Sequence, residues 1–290
     1  MQANFVVFGG PLCYNIVMKQ IDAKIVQARL EELITECLIV PDKAVTNALR
    51  NIQTDNELER AAAALIVQNN EIAESKRMYC CQDTGQALFF VNIGDEVYCK
   101  GLTGAINAAV KNAYKNARKS VADPITRKNT GDNTPAIIEY TITEGDELEI
   151  TFLAKGAGSE NMSGLHLCVP ADGTDGIVRA VLAAVRHGGD NACPPLVIGV
   201  GVGGVTETAC MLSKRALLRP IGQHNPREDV AALEKEILQK VNKEDIGVAA
   251  LGGNLTALAV NIEVAPTHIG MLPIAVNLQC HSLRHGTVKF

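Results

Sequence analysis

Three thiols stand where chemistry could be done. Of nine cysteines, Cys81 lies in YCCQDTG, where Cys81, Gln82, Asp83 and Thr84 set a thiol, an amide, a carboxylate and a hydroxyl in consecutive positions. Cys193 lies in NACPP, whose paired prolines stiffen the chain ahead of an apolar run. Cys280 lies in QCHSLRHG, where another apolar run ends. Each falls at the edge of an expected strand beside polar or turn residues, whereas Cys13, Cys37 and Cys210 sit in apolar or helical surroundings. A free cysteine is by default a small buried hydrophobe, and only the setting of these three argues otherwise. There is no CxxC pair, which argues against a zinc ribbon, a thioredoxin-like motif and a bacterial-ferredoxin run. Spacing alone leaves Cys80, beside Cys81, and Cys168, near GAGSENMS, as further candidates.

Soft thiolates drawn from distant segments suit zinc or an iron–sulfur cluster. Three ligands to a four-iron cube leave one iron open, and an open iron is a Lewis acid that can polarise a hydroxyl or hold a water. That is the demand of a hydro-lyase; an electron carrier normally uses a fully ligated cluster. Asp83 is the local candidate for proton transfer.

Composition narrows the partners. The net charge of -5, the absence of Trp and an aromatic content of 4% give neither a basic footprint nor stacking platforms, so nucleic acid is not expected. No apolar run approaches membrane-spanning length. Residues 1–17 are apolar but lack a basic start and are interrupted by Gly9, Gly10 and Pro11; they read as an N-terminal extension to a catalytic domain over 18–290. An odd number of cysteines without a secretory signal points to reduced thiols in the cytoplasm.

The elements that must position these residues make a mixed α/β protein, packed as one cluster-binding domain. Helical periodicity runs from about Asp22 to Glu74. The Cys81 loop then leads into the strand QALFFVNIG, a turn at Gly94–Asp95 and a second short strand. A helix is expected over Leu102–Lys119, and PAIIEYTITEGDELEITFLAK reads as a β-hairpin turning at Glu144-Gly145-Asp146. An α/β half follows: a helix over Gly176–His187, the strand PLVIGVGVGG, helices over Val205–Leu218 and Arg227–Asn242, and the strands TALAVNIEVAP and PIAVNLQC. Gly199, Gly201 and Gly204 satisfy G-x-G-x-x-G, but LLRPIGQHNPRED, where a dinucleotide fold needs a second strand and its acidic residue, has no strand character. These glycines read as close packing in an α/β turn.

CCQDTG, KGAGSENMSGLHL, NACPPLVIGVGVGG, KRALLRPIG and APTHIG together resemble the α subunit, or N-terminal region, of class I iron–sulfur fumarases and the related tartrate dehydratases, over about Ile21 to Gly286. The resemblance implies that Cys81, Cys193 and Cys280 ligate a [4Fe-4S] cluster with one labile iron. It implies that Gln82 and Asp83 contact substrate and that Arg118, in NARKS, grips a substrate carboxylate, with Arg127 as the rival. Gly158, in GAGSEN, matches a segment whose backbone approaches substrate, and His268, in PTHIG, a histidine near the cluster, which implies a catalytic role as proton relay or carboxylate partner. His166, His187 and His224 read as structural, and His281 enters only because it follows a ligand.

In that family the remaining substrate residues lie in a second, C-terminal domain, so the resemblance implies a separate β subunit and an α2β2 assembly. KGAGSENMS resembles the fumarase version of its segment, which implies interconversion of fumarate and (S)-malate; L-tartrate and mesaconate are the alternatives. Rivals from other classes are an iron–sulfur redox protein and a purely structural subunit.

Overall fold

A computed structural model describes residues 3–6 and 15–290. In chain order the elements are β1 (Ala3–Val6), β2 (Asn15–Gln20), α1 (Ala23–Ile39), α2 (Lys43–Arg50), α3 (Glu57–Lys76), β3 (Gln86–Gly94), β4 (Val97–Tyr98), α4 (Leu102–Ala113), β5 (Ile137–Thr143) and β6 (Leu148–Lys155). They continue as α5 (Ala157–Asn161), β7 (Gly164–Cys168), α6 (Gly173–Gly188), β8 (Leu196–Gly203), α7 (Thr206–Ala216), α8 (Glu228–Val241), β9 (Ala257–Ala265), β10 (Leu272–Gln279) and β11 (His285–Lys289). The class is mixed α/β, as expected. Of the expected extension, residues 1–2 and 7–14, Cys13 among them, lie outside the described residues, while β1 and the start of β2 pair antiparallel. The chain divides into two compact units, one of Met1–Ile39, Cys81–Ala154 and Arg284–Phe290, the other of Val40–Cys80 and Lys155–Leu283.

The helical stretch expected over 22–74 is three helices, because two side chains cap new starts inside it. Asp42 accepts from the amides of Ala44 and Val45, and Asn56 from those of Leu58 and Glu59.

In the first unit the main sheet has the order β11-β6-β3-β5 and a smaller one the order β1-β2-β4. This corrects the expected hairpin: β5 runs parallel to β3, and β3 lies between β5 and β6. The local turn signal is real, but the turn folds over the end of β3, with Gly94 N donating to Glu147 O at 2.8 Å and Glu96 N to Gly145 O at 3.0 Å. Gly94 permits this approach, since a Cβ there would stand 2.0 Å from the Gly145 oxygen. Nor is β4 the partner of β3; it pairs parallel with β2. The helix expected to Lys119 stops at Ala113. Tyr114 turns inward, fully buried, and the Lys119 ammonium satisfies the exposed carbonyls of Tyr114, Lys115 and Ala117.

In the second unit the sheet order is β7-β10-β8-β9, with β8 buried along its whole length, antiparallel to β10 and parallel to β9. Val181, Val185, Ile198, Val200, Ile237 and Ile262 are among the residues of its core. The glycines of β8 do what packing requires. Gly199 and Gly201 share a face, and a Cβ on either would stand 2.0 Å from a carbonyl oxygen, of Ser213 and of Ala209 respectively, so α7 rests directly on the strand. Glu59 of α3 is fully buried and accepts from the Thr54 hydroxyl and the amides of Asn254 and Leu255, tying α3 to the segment before β9.

Candidate functional site

In the first unit the turn between Cys81 and β3 is held from several sides. Arg284 Nη1 donates to Asp83 O at 2.7 Å, Tyr114 Oη to Thr84 O at 3.2 Å, and Thr84 Oγ1 to Arg118 O at 3.0 Å. The Asp83 carboxylate accepts from Gly85 N at 2.9 Å, an Asx turn that orients it. Thr84 and Gly85 are buried, Cys81 and Asp83 half-buried and Gln82 exposed, so the turn presents its polar side chains outward. The Thr84 bond brings Arg118 to this turn. Arg127, in the left-handed region at φ 59°, instead closes the 123–128 loop through its amide to Asp123 O at 3.0 Å.

In the second unit Cys193 precedes β8 and Cys280 follows β10. These strands are antiparallel neighbours, so the two cysteines stand side by side, and His281 N donates to Cys193 O at 3.2 Å. Cys193 is exposed and held at φ 55°. The next residue is buttressed in turn, Ala249 N donating to Pro194 O at 3.0 Å from a segment in which Ala249 and Ala250 are also left-handed, at φ 54° and 59°. Each such non-glycine residue costs about 1–2 kcal/mol, and strain of this kind persists where surroundings over-determine it, commonly at functional sites.

The setting of Cys280 is polar and buried. Gln279 Nε2 lies 3.4 Å from Cys280 Sγ, while Gln279 Oε1 is buried with no hydrogen-bond partner among the described residues. Lys155, at the end of β6, is 5% exposed; its ammonium donates to Ser159 Oγ at 2.7 Å and to Leu278 O at 2.9 Å, and stands 3.4 Å from the Glu160 carboxylate. Burial draws this ammonium down to about 8, against the opposing pull of Glu160. Burial raises the Glu160 carboxyl, but Lys214 and Lys155 outweigh that and hold it below the usual range. Gly158, exposed on α5, faces the Cys193 loop: a Cβ there would meet Asn191 O at 3.5 Å.

The other candidates separate out. Cys80 is buried, with its Sγ 3.5 Å from Ser282 Oγ, and Cys168 pairs with Leu272 at the far end of β10 from Cys280. Burial pushes the Cys37 thiol up to about 12, an inert core thiol. His268 is exposed in the turn between β9 and β10, where Thr267 Oγ1 donates to Gly204 O at 2.8 Å. The chain does not bring it to the cysteine pair: the length of β8 intervenes, about 25 Å at roughly 3.3 Å per residue. His224 Nδ1 is 3.4 Å from buried Glu234, and His187 is exposed on α6.

Among the described residues no three His, Cys, Asp or Glu side chains form a ready cage for a single ion. The donors fit a cluster better: soft thiols at two neighbouring strand ends, with a buried cation and a side-chain amide beside Cys280, suit an anionic, thiolate-ligated group. Lys155, Glu160, Gln279 and Arg284 were not singled out from sequence. The available signal was charge in an apolar setting, a lysine ending ITFLAK and an arginine four residues after Cys280.

Comparison with known proteins identifies the family. The family model for fumarate hydratase (fumerase) matches residues 27–289. A putative L(+)-tartrate dehydratase subunit alpha of Methanocaldococcus jannaschii is 39% identical over 267 residues, covering 88% of this chain and 94% of that protein. The L(+)-tartrate dehydratase subunit alpha of Escherichia coli strain K12 is 34% identical over 215 residues, covering 72% and 71%. The chain therefore belongs to the class I fumarate hydratase family of hydro-lyases, in the alpha-type group that it shares with the tartrate dehydratases.

Proposed function

We propose that this chain is the [4Fe-4S]-carrying alpha subunit of a cytoplasmic hydro-lyase that interconverts fumarate and (S)-malate. Residues 18–290 act as its catalytic domain, and a separate beta subunit completes the site in an α2β2 assembly. The observation that carries the reading is the pairing of Cys193 with Cys280 through the His281 amide, beside buried Lys155 and the Gln279 amide. Cys81 is the third ligand in this reading.

When bound, such a cluster supplies a Lewis acid for the hydroxyl or water. The chain supplies the rest. Hydration of a double bond sets a hydroxyl on one carbon and a proton on its neighbour, and Asp83, oriented by the Gly85 amide, is the proton-transfer group of this chain. Arg118, held at the same turn, presents a planar fork to a substrate carboxylate, and the exposed Gln82 amide adds a hydrogen bond. Gly158, without a side chain, lets substrate approach the backbone at the start of α5. His268, at the far end of β10 from Cys280 in this chain, is the second proton-transfer group of this reading.

Dehydration of L-tartrate is the second reading, favoured by the names of the relatives at 39% and 34% identity. A few hydrogen bonds to the extra hydroxyl separate the two substrates. The test is turnover of fumarate, L-tartrate and mesaconate by the anaerobically prepared complex with its beta chain. Fumarate hydration as the fastest reaction supports the proposal, tartrate dehydration as the fastest replaces it with the second reading, and a loaded complex inactive on all three overturns both.

A further inference from the structure

Arg284 is a buried cation that, among the described residues, has no carboxylate oxygen within 4.0 Å. It lies between β10 and β11 in the first unit, 2% exposed, and is among the largest fully buried side chains. Its Nη1 donates to Asp83 O at 2.7 Å, and its buried Nε has no acceptor among the described residues. An arginine keeps its charge, and burying a cation without a paired carboxylate is costly, so packing alone gives no reason for one here. An apolar side chain would fill the volume at less cost.

The group it does hold is the turn that carries Asp83. Among the contacts that fix the polypeptide there are Tyr114 Oη on Thr84 O, Thr84 Oγ1 on Arg118 O, and the Arg284 guanidinium on Asp83 O. Of these three, the Arg284 contact brings charge, and it acts on the residue whose carboxylate takes the Gly85 amide.

We infer that Arg284 is the positioning residue for Asp83: it pins the Asp83 peptide so that the carboxylate keeps its orientation. This rests on the reading of Asp83 as the proton-transfer group of a dicarboxylate hydro-lyase. Arg284 itself touches no reacting atom. Arginine is required because one fork must hold a carbonyl and remain cationic in a buried place.

The test is a double-mutant cycle in the cluster-loaded complex, joining Arg284→Met and Arg284→Lys to Asp83→Asn, with iron content and amide exchange measured alongside. Each Arg284 variant should lower kcat about 10-fold or more, with KM changed less than about 3-fold and iron content as in wild type. Combined with Asp83→Asn, it should add no more than about 2-fold to the loss caused by Asp83→Asn alone. In the metal-free full chain the Gly85 amide should exchange about 10-fold faster in the variants while amides of β3 stay as protected as in wild type. Multiplying losses in the cycle, or kcat as in wild type, overturns the inference; if Arg284→Met fails to fold, Arg284→Lys decides by the same criteria. A wild-type complex that loads no iron or turns over no dicarboxylate overturns the functional reading instead, and an unchanged Gly85 exchange rate in the variants then overturns the positioning role separately.

Discussion

The amide of His281 donates to the carbonyl of Cys193 at 3.2 Å, joining the residue after one thiol to the peptide of another. The bond closes the open end of the β8–β10 pair and keeps Cys193 in its left-handed conformation at φ 55°. A thiol at such a place gives up stability for position. Cys193→Gly should therefore stabilise the metal-free chain by about 0.5–1 kcal/mol while abolishing iron uptake. Urea unfolding and iron analysis of the same preparation check both halves, and a destabilised Cys193→Gly chain would refute the strain argument.

Glu160 lies between two lysines, its carboxylate 2.5 Å from Lys214 and 3.4 Å from Lys155. Lys155 has a folded-state value of about 8 against an ordinary 10.5, so between these the unfolded chain binds the extra proton and rising pH stabilises the fold. Glu160→Gln removes the group that opposes this depression, so below that window it leaves a buried ammonium without its partner. It should cost about 1 kcal/mol near neutral pH, since Lys155, at about 8, loses its proton before the penalty grows further, and less at about pH 9.5, where folded Lys155 is neutral in wild type and variant alike. Denaturant unfolding at the two pH values measures this; a gap that widens with pH contradicts it.

Gly201 has the Ala209 carbonyl 2.0 Å from where a Cβ would stand and the Ser213 amide at 2.6 Å, both backbone atoms of α7. Gly201→Ala must push the helix off the strand. A loss of about 2–3 kcal/mol is expected, seen as a lower denaturant midpoint with an unchanged slope. Wild-type stability in this variant would mean that α7 does not rest on β8 as described.

Arg118 and Arg127 offer a direct contrast, since Thr84 ties only Arg118 to the Asp83 turn. Arg118→Lys should raise KM for the dicarboxylate about 10-fold, the value of one charged hydrogen bond, while Arg127→Lys changes it less than about 3-fold. Steady-state kinetics on the assembled complex distinguish them, and the reverse ranking would exchange their roles.

Much of this was legible in the sequence, and the misses share a cause. The strand QALFFVNIG, the glycine-bearing strand PLVIGVGVGG and the helices after it announce themselves by local apolar pattern, and the structure has all of them. Pairing is not local. Alternation marked β5 and β6 as strands but could not say that β3 lies between them, and nothing in the short run HGTVK announced β11, whose partner β6 lies more than a hundred residues earlier. The site divides in the same way. The cysteines and CCQDTG stand out by composition, whereas Lys155, Gln279 and Arg284 look like ordinary strand-end residues until burial and partners show what each holds. His268 shows the converse, a motif residue that its strand carries to the other end of the sheet from Cys193 and Cys280.

Iron and acid-labile sulfide per chain decide whether Cys81, Cys193 and Cys280 hold the proposed cluster. The measurement is made on the anaerobically reconstituted complex, wild type beside Cys280→Ser. About four of each are expected per wild-type chain and little bound iron in Cys280→Ser, with the circular dichroism of the two unchanged. A folded wild-type complex that stays free of iron, or a Cys280→Ser variant that loads as fully as wild type, would contradict it.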